Sequence, residues 1–187
     1  MSLAARRATC TVSRLQDSAD ERAIEQLADV LLDCVDGDAS VSFMWPLPRA
    51  QALDFWRRMA DSAAAGERIL LLAHDEQGEV IGTVQVVLVQ PDNQPHRADI
   101  AKMLVHRRGR KQGIGAALMR AAEQAAIEAG RTLLVLDTAS ADAERLYERE
   151  GWQLVGHIPG YALLPRGGLC GTKYYYKPIG TGAAGTR

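Results

Sequence analysis

Arg110-Lys111-Gln112-Gly113-Ile114-Gly115 stands between an apolar, strand-like run ending at Leu104 and Val105 and an alanine-rich run with helical spacing that begins near Ile114. A helix start leaves its first backbone N–H groups unpaired and carries the positive end of the helix dipole, so it holds an anion without any side-chain charge. Glycines at 113 and 115 let a phosphate-sized group approach the main chain, because no Cβ stands in the way. Arg107, Arg108, Arg110 and Lys111 add positive charge around the same bend. The stretch reads as a cradle for a phosphate or pyrophosphate.

Working outward, the helix spans 114–129 and stops at Gly130; a buried strand follows at 132–136, a second helix at 141–150 stops at Gly151, and strands at 152–158 and 173–178 end the pattern. Toward the N-terminus come a strand at 97–105 and a hairpin of 68–74 with 80–89 across Asp75-Glu76-Gln77-Gly78. A helix opens at Pro48 and runs to Gly66, carrying Leu53, Phe55, Trp56 and Met59. Ser18 with Glu21 makes a capping box ahead of Ile24, Leu27, Ala28, Leu31, Leu32 and Val35, which share one helical face, and residues 8–15 form the first strand. The expected order is βααβββαβαββ, an α/β fold with a mixed sheet of seven strands and four helices. One domain is expected over residues 1–178, followed by a flexible tail at 179–187.

Composition removes several function classes. Charges nearly balance, at 22 basic and 23 acidic residues, so no global field favours nucleic acid and the basic bend is a local anion site. The longest apolar runs fall far short of the ~20 residues that a membrane helix needs. Cys10, Cys34 and Cys170 lack metal-ligand or disulfide spacing, and His74, His96, His106 and His157 lack ligand spacing too. No metal is expected, and a reducing cytoplasm fits best. The N-terminal stretch lacks the apolar core of a secretory signal.

Two ordered motifs carry a family resemblance. R-x-x-G-x-G at 110–115 follows the strand Ile100-Ala101-Lys102-Met103-Leu104-Val105 and precedes Ala116-Ala117-Leu118-Met119; further on, Ala143-Glu144-Arg145-Leu146-Tyr147-Glu148-Arg149-Glu150-Gly151-Trp152 fits A-x-x-L-Y-x-x-x-G-F. Together they resemble the GNAT superfamily of acetyl-CoA-dependent N-acetyltransferases. The resemblance implies acetyl-CoA as cofactor, with its pyrophosphate on the backbone of Arg110, Lys111, Gln112, Gly113, Ile114 and Gly115 and its pantetheine arm along Met103, Leu104 and Val105. It makes Tyr147, also a cofactor contact, the acid that protonates the departing thiolate. The chain departs from the family pattern at Lys111, where glycine is usual, and lacks the asparagine many members carry after the fifth strand; Thr138 or Ser140 is left to make that cofactor contact.

The chemistry also needs a base, since an alkyl ammonium with a pKa near ~10.4 must lose a proton before its nitrogen can attack. Asp99 and Asp137 lie on neighbouring strands that carry both carboxylates toward one cleft. Their plain alternatives are a strand-edge acid for Asp99 and a turn or cap acid for Asp137. Asp99 precedes Met103 by four positions, about 13 Å along a strand, so it acts on the incoming amine or through water.

A closer resemblance, covering most of residues 31–178, is carried by Ala39-Ser40-Val41-Ser42-Phe43-Met44, the strand from Asp99 to Val105, Leu136-Asp137-Thr138 and Gly156-His157-Ile158-Pro159-Gly160-Tyr161. These segments are similar to the tabtoxin-resistance acetyltransferases, which implies a small amino-acid-like acceptor, a toxin or antibiotic, and carboxylate bases at Asp99 and Asp137. The acceptor pocket is expected from Phe43, Met44, Trp45 and a loop running from Tyr161 to Gly171. Acetylation of protein or peptide amines, and acyl-CoA binding without transfer, stay open as alternatives, and a homodimer is compatible with the sequence. A dinucleotide-binding unit fits poorly, because Leu118 occupies the third glycine position and residues 106–112 separate the strand from Gly113.

Overall fold

Residues 10–180 are described by a computed structural model. Along the chain run β1 (Thr11–Arg14), α1 (Glu21–Asp36), α2 (Arg49–Ala64), β2 (Arg68–His74), β3 (Val80–Val87), β4 (Arg97–Val105), α3 (Ile114–Glu128), β5 (Leu133–Thr138), α4 (Ala141–Arg149), β6 (Gln153–Leu163) and β7 (Leu169–Pro178), with a short 3-10 turn at Arg107–Gly109. This is the expected order βααβββαβαββ. The seven strands form one sheet in the order β1-β2-β3-β4-β5-β7-β6, antiparallel throughout except for β4 beside β5.

Each face of the sheet carries its own core. Strands alternate their side chains, so one set of residues meets α1 and α2 and the other meets α3 and α4. The first core joins Ile24, Leu27, Leu31 and Trp56 to Leu70, Leu72 and Leu104. The second joins Ile114, Leu118, Met119, Leu146 and Tyr147 to Ile100, Leu134, Leu136 and Tyr175.

Four details differ from the sequence reading. Asp20, not Ser18, caps α1, its carboxylate accepting from the Ala23 N–H at 3.0 Å. The first strand is Thr11–Arg14, shorter than the expected 8–15, of which residues 8 and 9 lie outside the described chain. The stretch from Tyr161 to Gly171 is no open loop: β6 and β7 continue as a hairpin to Leu163 and Leu169, bending at bulges between Leu154 and Gly156 and between Ile158 and Ala162. Glycines and Pro159 mask the strand pattern there, and bulges absorb them. Ile179, assigned to the tail, packs in the core and donates its N–H to the Thr132 carbonyl at 2.9 Å; the rest of that tail, from residue 181, lies outside the described residues.

Among the described residues no helix is long and apolar enough to cross a membrane. The sheet edge β6 exposes Leu154, Val155, Ile158 and Leu163.

Candidate active site

A cleft opens where β4 and β5 part. They pair only over Arg97–Leu133, Ala98–Leu134 and Asp99–Val135, after which β4 runs on to Val105 without a neighbour on that side. On its other side β4 bulges, because Gln85 faces Ala101 while Thr83 faces Leu104, setting Lys102 and Met103 against one residue of β3. Lys102 takes a left-handed backbone at φ 48°. Met103, Leu104 and Val105 thus lie on the strand end beside the gap, with Leu104 buried.

The bend at the mouth of this gap has the expected main-chain character. Gly113 is the N-cap of α3 at φ 87°, and Lys111 is left-handed at φ 61°. Glycine adopts such angles freely, whereas a residue with a Cβ pays about 1 kcal/mol or more. The N–H groups of Lys111, Gln112, Gly113, Ile114, Gly115 and Ala116 have no acceptor among the described residues, the first capped N–H of the helix being Ala117 to the Gly113 carbonyl at 3.0 Å. Six successive donors around a helix start form an anion nest. Gly113 has open space where a Cβ would stand, but at Gly115 an added Cβ would meet Leu146 at 2.9 Å, so that glycine admits α4 rather than a ligand.

Three of the four basic residues expected around the anion are tied to the protein instead. Arg107 binds Asp33 and Asp36 at the end of α1, Arg108 pairs with Asp75 at 3.4 Å, and Arg110 Nε donates to the Val105 carbonyl at 3.1 Å. Lys111 is exposed and is the cation of this set left for a ligand. Gln112 is spent on the Arg108 carbonyl at 2.8 Å. Ser140 serves as N-cap of α4, its hydroxyl accepting from Ala143, and Thr138 Oγ1 accepts from the Ser140 N–H at 3.1 Å. Both hydroxyls are therefore used locally.

Asp99 and Asp137 share a sheet face, since Asp99 stands opposite Val135 and Asp137 lies two residues further along β5. Their surroundings differ. Asp99 accepts from Arg97 Nη1 at 2.8 Å on one oxygen and from Gln90 Nε2 at 3.3 Å on the other. Asp137 faces solvent and accepts on one oxygen only, from buried Thr172 Oγ1 at 2.8 Å. Tyr174 lies opposite Asp137 across β5 and β7, and its hydroxyl meets that of Tyr161 at 3.0 Å. The hydrogen bond to Tyr161, followed by burial and the nearby Asp137 and Asp99 charges, pushes the Tyr174 phenol up to about 12.

Tyr147 is buried, with its ring 5.9 Å from those of Trp152 and Tyr175. Burial first, and the Asp137 charge second, push its phenol well above the ordinary value. It stays protonated at neutral pH and so has a proton to donate there.

The four residues expected to meet an acceptor divide into three places. Phe43 packs edge-on against Phe55 of α2 at 5.1 Å. Met44 and Trp45, each about half exposed, line a cavity of about 300 Å³ with Pro165, Arg166 and Gly167 at the tip of the β6–β7 hairpin. Tyr161 stands with Tyr174. Arg166 stacks on Trp45 at 4.1 Å, its N–H reaches Asp38 at 3.2 Å, and Trp45 donates its N–H to the Pro165 carbonyl at 2.9 Å. The 39–47 segment and the hairpin tip are thus laced together.

Lys102, Ser42, Thr172 and Tyr174 escape the sequence reading although they face or touch this cleft. Lys102 had a readable signal, a lysine inside an otherwise apolar strand; Thr172 and Tyr174 had none, because only the sheet order brings β7 beside β5. The described residues contain no cluster suited to a metal ion.

Residues 25–152 match the Acetyltransferase (GNAT) family, and the chain belongs to it; the protein is an N-acetyltransferase of that family. A phosphinothricin acetyltransferase of the GNAT superfamily from Sinorhizobium meliloti, solved in complex with acetyl-CoA, aligns with a TM-score of 0.79 at 18% identity over 95% of this chain and 92% of its own. The yncA protein of Salmonella typhimurium, solved with acetyl-CoA, gives 0.72 at 17% over 96% and 99%. A ribosomal-protein-alanine N-acetyltransferase from Brucella melitensis gives 0.74 at 17% over 90% and 99%. At these identities the likeness is one of fold.

Proposed function

We propose that this enzyme transfers the acetyl group of acetyl-CoA directly to the amine of a small molecule, with Asp137 as base. The observation that carries the reading is the pairing, around the gap where β4 and β5 part, of a nest of free N–H groups after β4 with a carboxylate on β5 that keeps one oxygen unclaimed. Acetyl-CoA supplies the activated acyl group and a diphosphate for the nest at residues 111–116, and Met103 to Val105 offer the strand edge for its arm. Exposed Lys111 adds charge there.

Asp137 takes the ammonium proton, which frees the nitrogen lone pair to form the N–C bond; the C–S bond breaks with its electron pair leaving on sulfur, and the second proton, shed by the acylated nitrogen, ends on that sulfur as the free thiol. Asp99, with both oxygens committed to Arg97 and Gln90, orients the amine by its charge and is the lesser base. Tyr147 donates a hydrogen bond to the sulfur. Its raised phenol pKa makes full transfer to a thiolate of about 8.5 uphill by roughly 2 kcal/mol or more.

The similarity to tabtoxin-resistance acetyltransferases, the phosphinothricin acetyltransferase neighbour, and the lacing of Trp45 to Arg166 and Pro165, which walls off one end of the acceptor side, all favour a small acceptor. The same likeness supports a role in resistance to an amino-acid-like toxin or antibiotic. Peptide amines are the second reading, favoured by the ribosomal-protein-alanine neighbour. A screen of free amines and short peptides with acetyl-CoA, read by released thiol, tests the choice; acetylation of peptides with no free amine turned over would overturn the small-molecule reading.

A further inference from the structure

Lys102 sits at the β4 bulge, between the strand end beside the gap and the aspartates, and the mechanism above leaves it unused. Its Nζ donates to Ser42 Oγ at 3.0 Å and lies 6.0 Å from the Phe55 ring centroid. No carboxylate comes within ion-pair distance of it among the described residues, although the side chain is half-buried. Cations withdrawn from water are ordinarily paired, because desolvation is otherwise uncompensated. Burial indeed pushes the Lys102 ammonium down; the Asp137 charge offsets this only in part, and Arg68 adds to it.

Two backbone outliers meet here. Lys102 at φ 48° and Ser42 at φ 76° are both left-handed residues with a Cβ, and they hydrogen-bond each other from elements 60 residues apart. Such conformations persist where surrounding structure imposes them, and they gather at ligand sites. Arg68, on β2 and separated from β4 by β3, has no ion-pair partner either, its guanidinium donating to Gln85 Oε1 of β3 at 2.7 Å and to Ser62 Oγ at 2.9 Å. Two cations without a carboxylate partner, Lys102 and Arg68, are therefore near enough to act on each other, while Asp137 supplies the negative charge felt by Lys102.

We infer that Lys102 and Ser42 form an oxyanion-binding subsite that holds the carboxylate of a zwitterionic acceptor, an amino acid or close analogue, with its ammonium directed to Asp137. The inference rests on the small-molecule reading above and adds the residues that would hold the carboxylate of an amino-acid-like acceptor. A carboxylate accepts from the Lys102 ammonium and the Ser42 hydroxyl, completing the charge pair the free protein lacks; charge-assisted hydrogen bonds of this kind are short and strong. The same cation repels acceptors whose second charge is positive, so diamines and other polycations are poor substrates.

The test compares α-amino acids with their matched carboxamides, which share the amine and lack the carboxylate. The wild-type enzyme should favour the carboxylate acceptor by about 10- to 100-fold in kcat/KM. Lys102→Met should collapse that ratio toward one, Lys102→Arg should restore most of it, and Ser42→Ala should reduce it severalfold. Acetyl-CoA binding and melting temperature, measured on each variant, separate a lost subsite from a damaged fold. Free amines acetylated without preference for the carboxylate, or with a preference that survives Lys102→Met, would overturn this inference and leave the small-molecule reading intact. Acetylation of peptides alone would overturn both.

Discussion

The two sides of the cleft are built in different ways. On the side proposed for the cofactor six consecutive residues, 111–116, present main-chain N–H groups without acceptors among the described residues. On the side proposed for the acceptor almost everything is side chain, drawn from Ser42, Phe55, Asp99, Lys102, Asp137, Thr172 and Tyr174 on several elements. A main-chain site depends on conformation, so it tolerates many sequences that keep the bend. A side-chain site depends on identity, so single replacements redirect it. One family can therefore hold its cofactor constant while acceptors diverge.

This contrast breaks most visibly at Asp137. Asp137→Asn should lower kcat/KM by about 10²- to 10⁴-fold while calorimetry finds acetyl-CoA affinity unchanged. Asp99→Asn should lose clearly less, and equal losses would mean that the free oxygen of Asp137 has no special part. Next in size is Tyr147→Phe, expected to reduce kcat about 10-fold or more. Its hydroxyl has no hydrogen-bond partner among the described residues, so the variant should melt within a degree or two of wild type or above it. Since burial holds that phenol protonated well past its usual range, an alkaline limb of the rate profile below about pH 9 should be the same in the variant.

On the cofactor side smaller effects should appear, and in binding rather than turnover. Gly113→Ala forces a Cβ into φ 87°, and should cost about 1 kcal/mol of stability together with several-fold weaker acetyl-CoA binding, read by thermal shift with and without ligand. Lys111→Gly relaxes φ 61° but removes a cation, so the free protein should gain a few tenths of a kcal/mol while affinity for acetyl-CoA falls slightly, more at low salt than at high. A change of acceptor preference in either variant would contradict the division of labour.

The legibility of the sequence follows the same divide. The bend at 110–115 was readable because glycine spacing, a preceding strand and a following helix are local signals, and the element order was readable from periodicity. Asp99 and Asp137 could be placed on one face because β4 and β5 are neighbours in a parallel pair. The bulge that turns Lys102 toward Ser42 and the Thr172 hydroxyl under Asp137 were not, since they depend on register and strand order that no local pattern encodes. The capping residue of α1 shows the limit at its smallest scale: Asp17, Ser18 and Asp20 all suit a helix start, and Asp20 wins by reaching Ala23.

Only three residue pairs join β4 to β5, and the seven strands are in that sense two half-sheets meeting at a short seam. A pantetheine chain lying along the unpaired length of β4 would act as mortar between them, so cargo and architecture are linked. Amide hydrogen exchange at residues 100–105 and 136–138 should slow when acetyl-CoA is added, while β2 and β3, each paired on both flanks, should barely respond.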